Sequence, residues 1–153
     1  MDQPKVLVIT GSKSDLPKIE SCPKTLEEMG IASEVIVASA HRSPKKVAET
    51  IQKAEEEGVE VIIAAAGMSA HLPGVVASRT NLPVIGVPLD GGILGGIDAL
   101  FSIVQMPSGI PVATVAVNGA RNAAILAARI LALKYPEVAR RLGEYRQSLE
   151  SGT

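Results

Sequence analysis

Aromatic side chains are almost missing from this 153-residue chain, which has no Trp, one Phe (Phe101) and two Tyr (Tyr135 and Tyr145). Surfaces that stack nucleic-acid bases, and sites that stack a flavin ring, need such side chains, so neither function is expected. Cysteine is reduced to Cys22, so no intrachain disulfide can form. Charge of one sign is also lacking. A net charge of -1 leaves no electrostatic footprint for nucleic acid or for an anionic membrane. No apolar run is long enough to cross a bilayer without Gly, Pro or charge. Met1-Asp2-Gln3-Pro4-Lys5 does not read as a basic-then-apolar targeting segment, so a cytoplasmic protein is expected.

What is abundant is aliphatic. The chain is 46% hydrophobic, mostly Val, Ile, Leu and Ala, as in parallel sheets buried on both faces. Its length suits one domain with a real core. Lys5 to Thr10 reads as a buried strand stopped by Gly11. Asp15 can cap a helix from Leu16 to about Met29, closed by Gly30, with Pro23 expected to kink or break it. Glu34 to Ala38 is a second strand. Ser43-Pro44 is an N-cap followed by Pro at the first helical position, for a helix to about Glu57. Val59 to Ala66, Pro83 to Val87 and Val112 to Val117 read as three more strands. They are separated by a short helix to about Thr80 and by one from about Ile97 to Val104. Asn118 is a candidate cap for a helix to Tyr135 that is apolar nearly all round. Such a helix is normally covered on more than one side, which suggests a subunit interface. A polar helix, Glu137 to about Glu150, closes the chain. Strands alternating with helices predict a three-layer α-β-α sandwich around a five-stranded parallel sheet, doubly wound and flavodoxin-like.

In such a sheet ligands bind beyond the carboxyl ends of the strands, where the chain places its chemistry. Gly11-Ser12-Lys13-Ser14-Asp15 follows the first strand. It is neither a P-loop nor a dinucleotide fingerprint. Ser12 and Ser14, in a turn feeding a helix, suit a phosphate, and Asp15 suits a sugar diol. Alternatively, Ser14 and Asp15 merely cap the helix. Ser39-Ala40-His41-Arg42 follows the second strand. Arg42 offers a fork matched to phosphate, and His41 offers an acid/base group for neutral pH. His71, the other histidine, follows the third strand beyond Gly67. Two histidines on separate loops and one helical cysteine make a poor metal site, and no Gly-x-Ser-x-Gly elbow supports a serine hydrolase.

Taken in order, Gly-Ser-Lys-Ser-Asp (11–15), Ser-Ala-His-Arg-Ser-Pro (39–44), Ala-His-Leu-Pro-Gly (70–74) and Ser-Ile-Val-Gln-Met-Pro (102–107) resemble the N5-carboxyaminoimidazole ribonucleotide mutase (PurE) family. The likeness runs from Val6 to about Tyr145. It implies a single catalytic domain over 1–153, with 136–153 as a C-terminal helical tail. It also implies an isomerase of purine (IMP) biosynthesis that moves a carboxylate from an exocyclic nitrogen to ring carbon C4, with no metal or organic cofactor. Carried over by position, His41 resembles the general acid/base. Ser12, Asp15 and Arg42 resemble substrate-binding positions, with Ser14 and Ser39 adding hydroxyls, Gly67 a further substrate-binding position and His71 part of the carboxylate pocket. Family members are typically octamers, so a homo-octamer acting on a small ribonucleotide is expected.

The chain departs from the common family pattern at Met68-Ser69, at Asp90-Gly91-Gly92, and before the long helix, where a Lys-Ala-Gly insertion is absent. The alternatives are a sister lyase-type activity, direct carboxylation of aminoimidazole ribonucleotide by carbon dioxide, and a non-catalytic nucleotide-binding module. Arg42 and Ala70-His71-Leu72-Pro73-Gly74 favour the mutase over the carboxylase.

Overall fold

The computed structural model describes residues 3–152. Five parallel strands, β1 (Lys5–Thr10), β2 (Ala32–Val37), β3 (Val61–Gly67), β4 (Val84–Leu89) and β5 (Ala113–Thr114), form one sheet in the order β2-β1-β3-β4-β5. Alternation along the strands sends side chains to two cores. Val6 and Val8 of β1, with Val61, Ile63, Ile85 and Val87, pack beneath α1 (Leu16–Ile19), α2 (Ser21–Glu28), α6 (Ala120–Leu131) and α7 (Pro136–Ser151). Leu7 and Ile9, with Ile62 and Ala64, pack against α3 (Pro44–Glu56), α4 (Leu72–Ala77) and α5 (Ile97–Val104). Each large aliphatic side chain so buried contributes about 1.5–3 kcal/mol. The three-layer, flavodoxin-like sandwich is therefore the one expected. No helix of the described residues is long and apolar enough to cross a membrane.

Pro23 breaks its helix as anticipated. It has no N–H for the carbonyl of Ile19, four residues back, and the helix divides at Glu20, whose own dihedrals stay helical. Beside it Cys22 is fully buried, and desolvation pushes its thiol up to about 12. Gly30 (φ 76°) and Gly58 (φ 81°) close α2 and α3 in the left-handed conformation that glycine adopts freely.

Four expectations are corrected. Neither Asp15 nor Ser43 caps a helix with its side chain; Ser12 caps the 3-10 turn Lys13–Asp15 by accepting from the Ser14 N–H. Asn118 caps nothing either. It adopts φ 59°, and its Oδ1 accepts the Asp90 N–H at 3.2 Å. The strand expected over 112–117 is paired only at Ala113 and Thr114. Pro88 has no N–H to extend the ladder, although Val115 and Asn118 still donate to the carbonyls of Gly86 and Pro88. Lastly, the apolar faces of α6 are covered within the chain, by α2, the sheet and α7, so they give no reason to expect a subunit contact. Exposed apolar side chains group on the loop before α5 and along α5, at Ile93, Leu94, Ile97, Phe101 and Val104, and Leu133, just beyond α6, is exposed as well.

Candidate active site

The strand order reverses direction between β1 and β3, and the crevice expected at such a switch point is present. A cleft of about 540 Å³ opens beyond the carboxyl ends of β1 to β4. Ser12, Ser14, Asp15, Ser39, His41, Arg42, Gly67 and His71 all line it. Its volume suits a small molecule of nucleotide size.

The first loop is tied to the sheet from below. Buried Thr10 places its hydroxyl 3.1 Å from Asp15 Oδ2 and 3.2 Å from the Ala65 carbonyl. This holds the Asp15 carboxylate at the cleft floor instead of at a helix N-terminus. The Ser12 and Ser14 hydroxyls lie 2.9 Å apart. The second loop is tied to the first by Arg42, whose Nη2 donates to the Gly11 carbonyl at 3.1 Å and whose Nε donates to Ser39 Oγ at 3.3 Å. The Arg42 backbone N–H donates to the same hydroxyl at 3.1 Å. The guanidinium is thereby fixed with its other N–H groups available to an anion.

The third loop turns sharply out of β3. The Ala70 N–H donates to the Met68 carbonyl at 2.9 Å and the His71 N–H to the Ser69 carbonyl at 2.8 Å. These turns bring His71 to His41 from 30 residues away. His41 Nε2 and His71 Nδ1 are 2.7 Å apart, with the rings edge to face at 4.8 Å. At that distance one ring donates and the other accepts, so the tautomer of each dictates that of the other.

The fourth wall contains a residue not singled out from the sequence. Lys18 Nζ reaches Asp90 Oδ1 at 2.7 Å and the Asp90 carbonyl at 2.5 Å. Its hydrogen bond, with that from Asn118, holds the Asp90 carboxyl below the usual carboxylate range. Lys18 is three residues beyond Asp15, one helical turn onward, and that spacing was the available signal. Among the described residues no group of three or more His, Cys, Asp or Glu side chains could hold a metal ion.

A family model described as AIR carboxylase matches residues 5–152. A curated N5-carboxyaminoimidazole ribonucleotide mutase from Thermotoga maritima is 57% identical over 147 residues, covering 96% of this chain and 86% of that protein. Another from Pyrococcus horikoshii is 54% identical over 149 residues, covering 97% and 84%. The crystal structure of Treponema denticola PurE superposes with a TM-score of 0.88 at 31% identity, covering 98% of this chain and 94% of that one.

Proposed function

The chain belongs to the AIR carboxylase family, and from that premise we propose that it is an N5-carboxyaminoimidazole ribonucleotide mutase of purine biosynthesis. It isomerises N5-carboxyaminoimidazole ribonucleotide to 4-carboxy-5-aminoimidazole ribonucleotide, as the names of its relatives at 54–57% identity indicate. The observation that carries the reading is the meeting of three loops, Gly11–Asp15, Ser39–Arg42 and Gly67–His71, around one cleft with both histidine rings in contact at its wall.

In this reading Arg42, Ser12, Ser14 and Ser39 hold the 5'-phosphate, and Asp15 accepts from the ribose hydroxyls. Gly67 and His71 frame the carboxylate. The bond from the exocyclic nitrogen to the carboxyl carbon breaks and a bond from that carbon to C4 forms. The C4 proton replaces the carboxyl group on nitrogen, so nothing enters or leaves overall. His41 takes that proton and returns it, serving as base and then acid. His71 fixes the tautomer and orientation of His41. The cleft holds the separated carboxyl group and ring in register, which makes recapture faster than escape.

The protein works in the cytoplasm as a homo-octamer. The support for association is the exposed stripe Ile97, Phe101 and Val104 on α5, continued by Ile93 and Leu94, an apolar patch that monomers rarely leave uncovered.

The test compares two reactions of the purified protein, N5-carboxylated substrate alone and aminoimidazole ribonucleotide plus bicarbonate. Rapid conversion of the first is expected. Turnover of the second mixture alone overturns the reading in favour of direct carboxylation.

A further inference from the structure

Two permanent cations line the cleft, Arg42 and Lys18, and their surroundings differ. Arg42 donates only to neutral acceptors, the Gly11 carbonyl and Ser39 Oγ, so its charge is left for a ligand. The charge of Lys18 is already matched within the chain. Its Nζ lies 2.7 Å from Asp90 Oδ1 and donates to the Asp90 carbonyl at 2.5 Å. An ammonium that holds the carboxylate and the carbonyl of one residue fixes that residue's backbone as well as its side chain.

Asp90 opens the Gly-rich loop that follows β4. Its N–H donates to Asn118 Oδ1 at 3.2 Å, so both backbone polar groups of Asp90 are satisfied by side chains from elsewhere in the fold. Asn118 makes this bond from φ 59°, a conformation that Asn tolerates and most residues avoid. Beyond Asp90 the loop has few ties. Among the described residues, the N–H groups of 91–94 donate to no group in the chain, and Ile93 and Leu94 are exposed. Gly91 adopts φ 146°, which side chains other than glycine rarely reach. Gly91 nonetheless lines the cleft. Its place there is inherited from Asp90, and through Asp90 from Lys18 on α1.

We propose that Lys18 is a positioning residue that acts through Asp90, holding the Gly91 backbone against the cleft as a wall of the substrate site without touching substrate itself. The inference deepens the mutase reading above and rests on it. His41 and Arg42 stand on a different loop, tied to His71 and to the first loop. Loosening the Gly91 wall therefore weakens binding of the nucleotide more than it slows the proton transfer. The two side chains are 35% and 47% exposed, so the hold weakens as salt rises.

The experiment measures KM and kcat for N5-carboxyaminoimidazole ribonucleotide at low and at high salt. It compares wild type, Lys18→Met, Asp90→Asn and the exchanged pair, Lys18→Glu with Asp90→Lys. At low salt each single variant raises KM about fivefold, the scale of a partly exposed ion pair with one charge-assisted bond, while kcat changes little. The exchanged pair recovers most of that loss, and high salt narrows the gap between wild type and the single variants. A lower KM in Asp90→Asn, which frees the ammonium, overturns the proposal and makes Lys18 a direct ligand of a substrate anion. An unchanged KM in both single variants overturns it too, and a lowered unfolding temperature beside that result makes the pair a tie of the fold alone. An exchanged pair no better than the single variants also overturns it. Failure of the wild type to convert the substrate at all is a different result and overturns the functional reading itself.

Discussion

Replacing Arg42 by Ala separates its two roles in the cleft. Within the protein it makes two side-chain hydrogen bonds, to the Gly11 carbonyl at 3.1 Å and Ser39 Oγ at 3.3 Å. Each of these contributes about 0.5–1.5 kcal/mol, and their loss loosens the first two loops for every ligand alike. In the proposed reading the remaining N–H groups take the phosphate. A charge-assisted bond to phosphate contributes about 1.5–3 kcal/mol, and a forked pair in a fully enclosed site about twice that. The Arg42 side chain is exposed at the rim, so the lower part of that range applies. A loss of about 2–4 kcal/mol specific to the phosphate corresponds to roughly 30- to 1,000-fold in affinity. Calorimetric titration of the product nucleotide and of its dephosphorylated nucleoside reads the difference directly. Arg42→Ala weakens the nucleotide by that factor and the nucleoside far less. Arg42→Lys recovers only part of the nucleotide affinity, because an ammonium cannot span both loop contacts and the phosphate fork. Equal losses for nucleotide and nucleoside refute a phosphate role and reduce Arg42 to a tie between loops.

Gly86→Ala places a Cβ against Ile103 of α5 and 3.1 Å from Val112. It should destabilise the fold by about 1–3 kcal/mol, and an unchanged denaturation midpoint contradicts the close approach of α5 to β4. Glu137 accepts from Arg140 at 2.7 and 2.9 Å and from Arg141 at 3.1 Å, and these guanidiniums lower its carboxyl from 4.5 to about 2. Between those values the unfolded chain binds more protons, so the contribution is complete above pH 4.5 and fades as pH falls toward 2. The groups are exposed and the effect is small and salt-sensitive. The unfolding temperature of wild type should still fall more steeply below pH 4.5 than that of Glu137→Gln, and parallel curves remove the pair from the account.

Where local rules govern, the sequence was readable. Lys5 to Thr10 is bounded as expected because a β-branched run stopped by Gly11 has no competing local structure. Pro23 divides its helix because the missing N–H is a property of one residue. The misreadings come from partners distant in the chain. Asn118 looked like a cap until Asp90, 28 residues away, took its side chain. The last strand was read too long because its pairing depends on Pro88, which belongs to its neighbour. The apolar α6 looked like an interface because the cover supplied by α2 and α7 is a tertiary fact. The same holds in the cleft. Both histidines were placed beyond strand ends by spacing, but their 2.7 Å contact depends on tight turns after Met68. Lys18 was hidden in a helix whose partner, Asp90, lies 72 residues on.

The central claim is that His41, at the wall of this cleft, moves the proton of an intramolecular carboxyl transfer. Its most direct test measures product affinity and turnover of N5-carboxyaminoimidazole ribonucleotide in wild type and His41→Asn side by side. The account predicts affinity within about threefold and turnover lower by about 100- to 10,000-fold, the range for loss of a positioned acid/base group. Turnover in His41→Asn within a few-fold of wild type, with affinity intact, contradicts it.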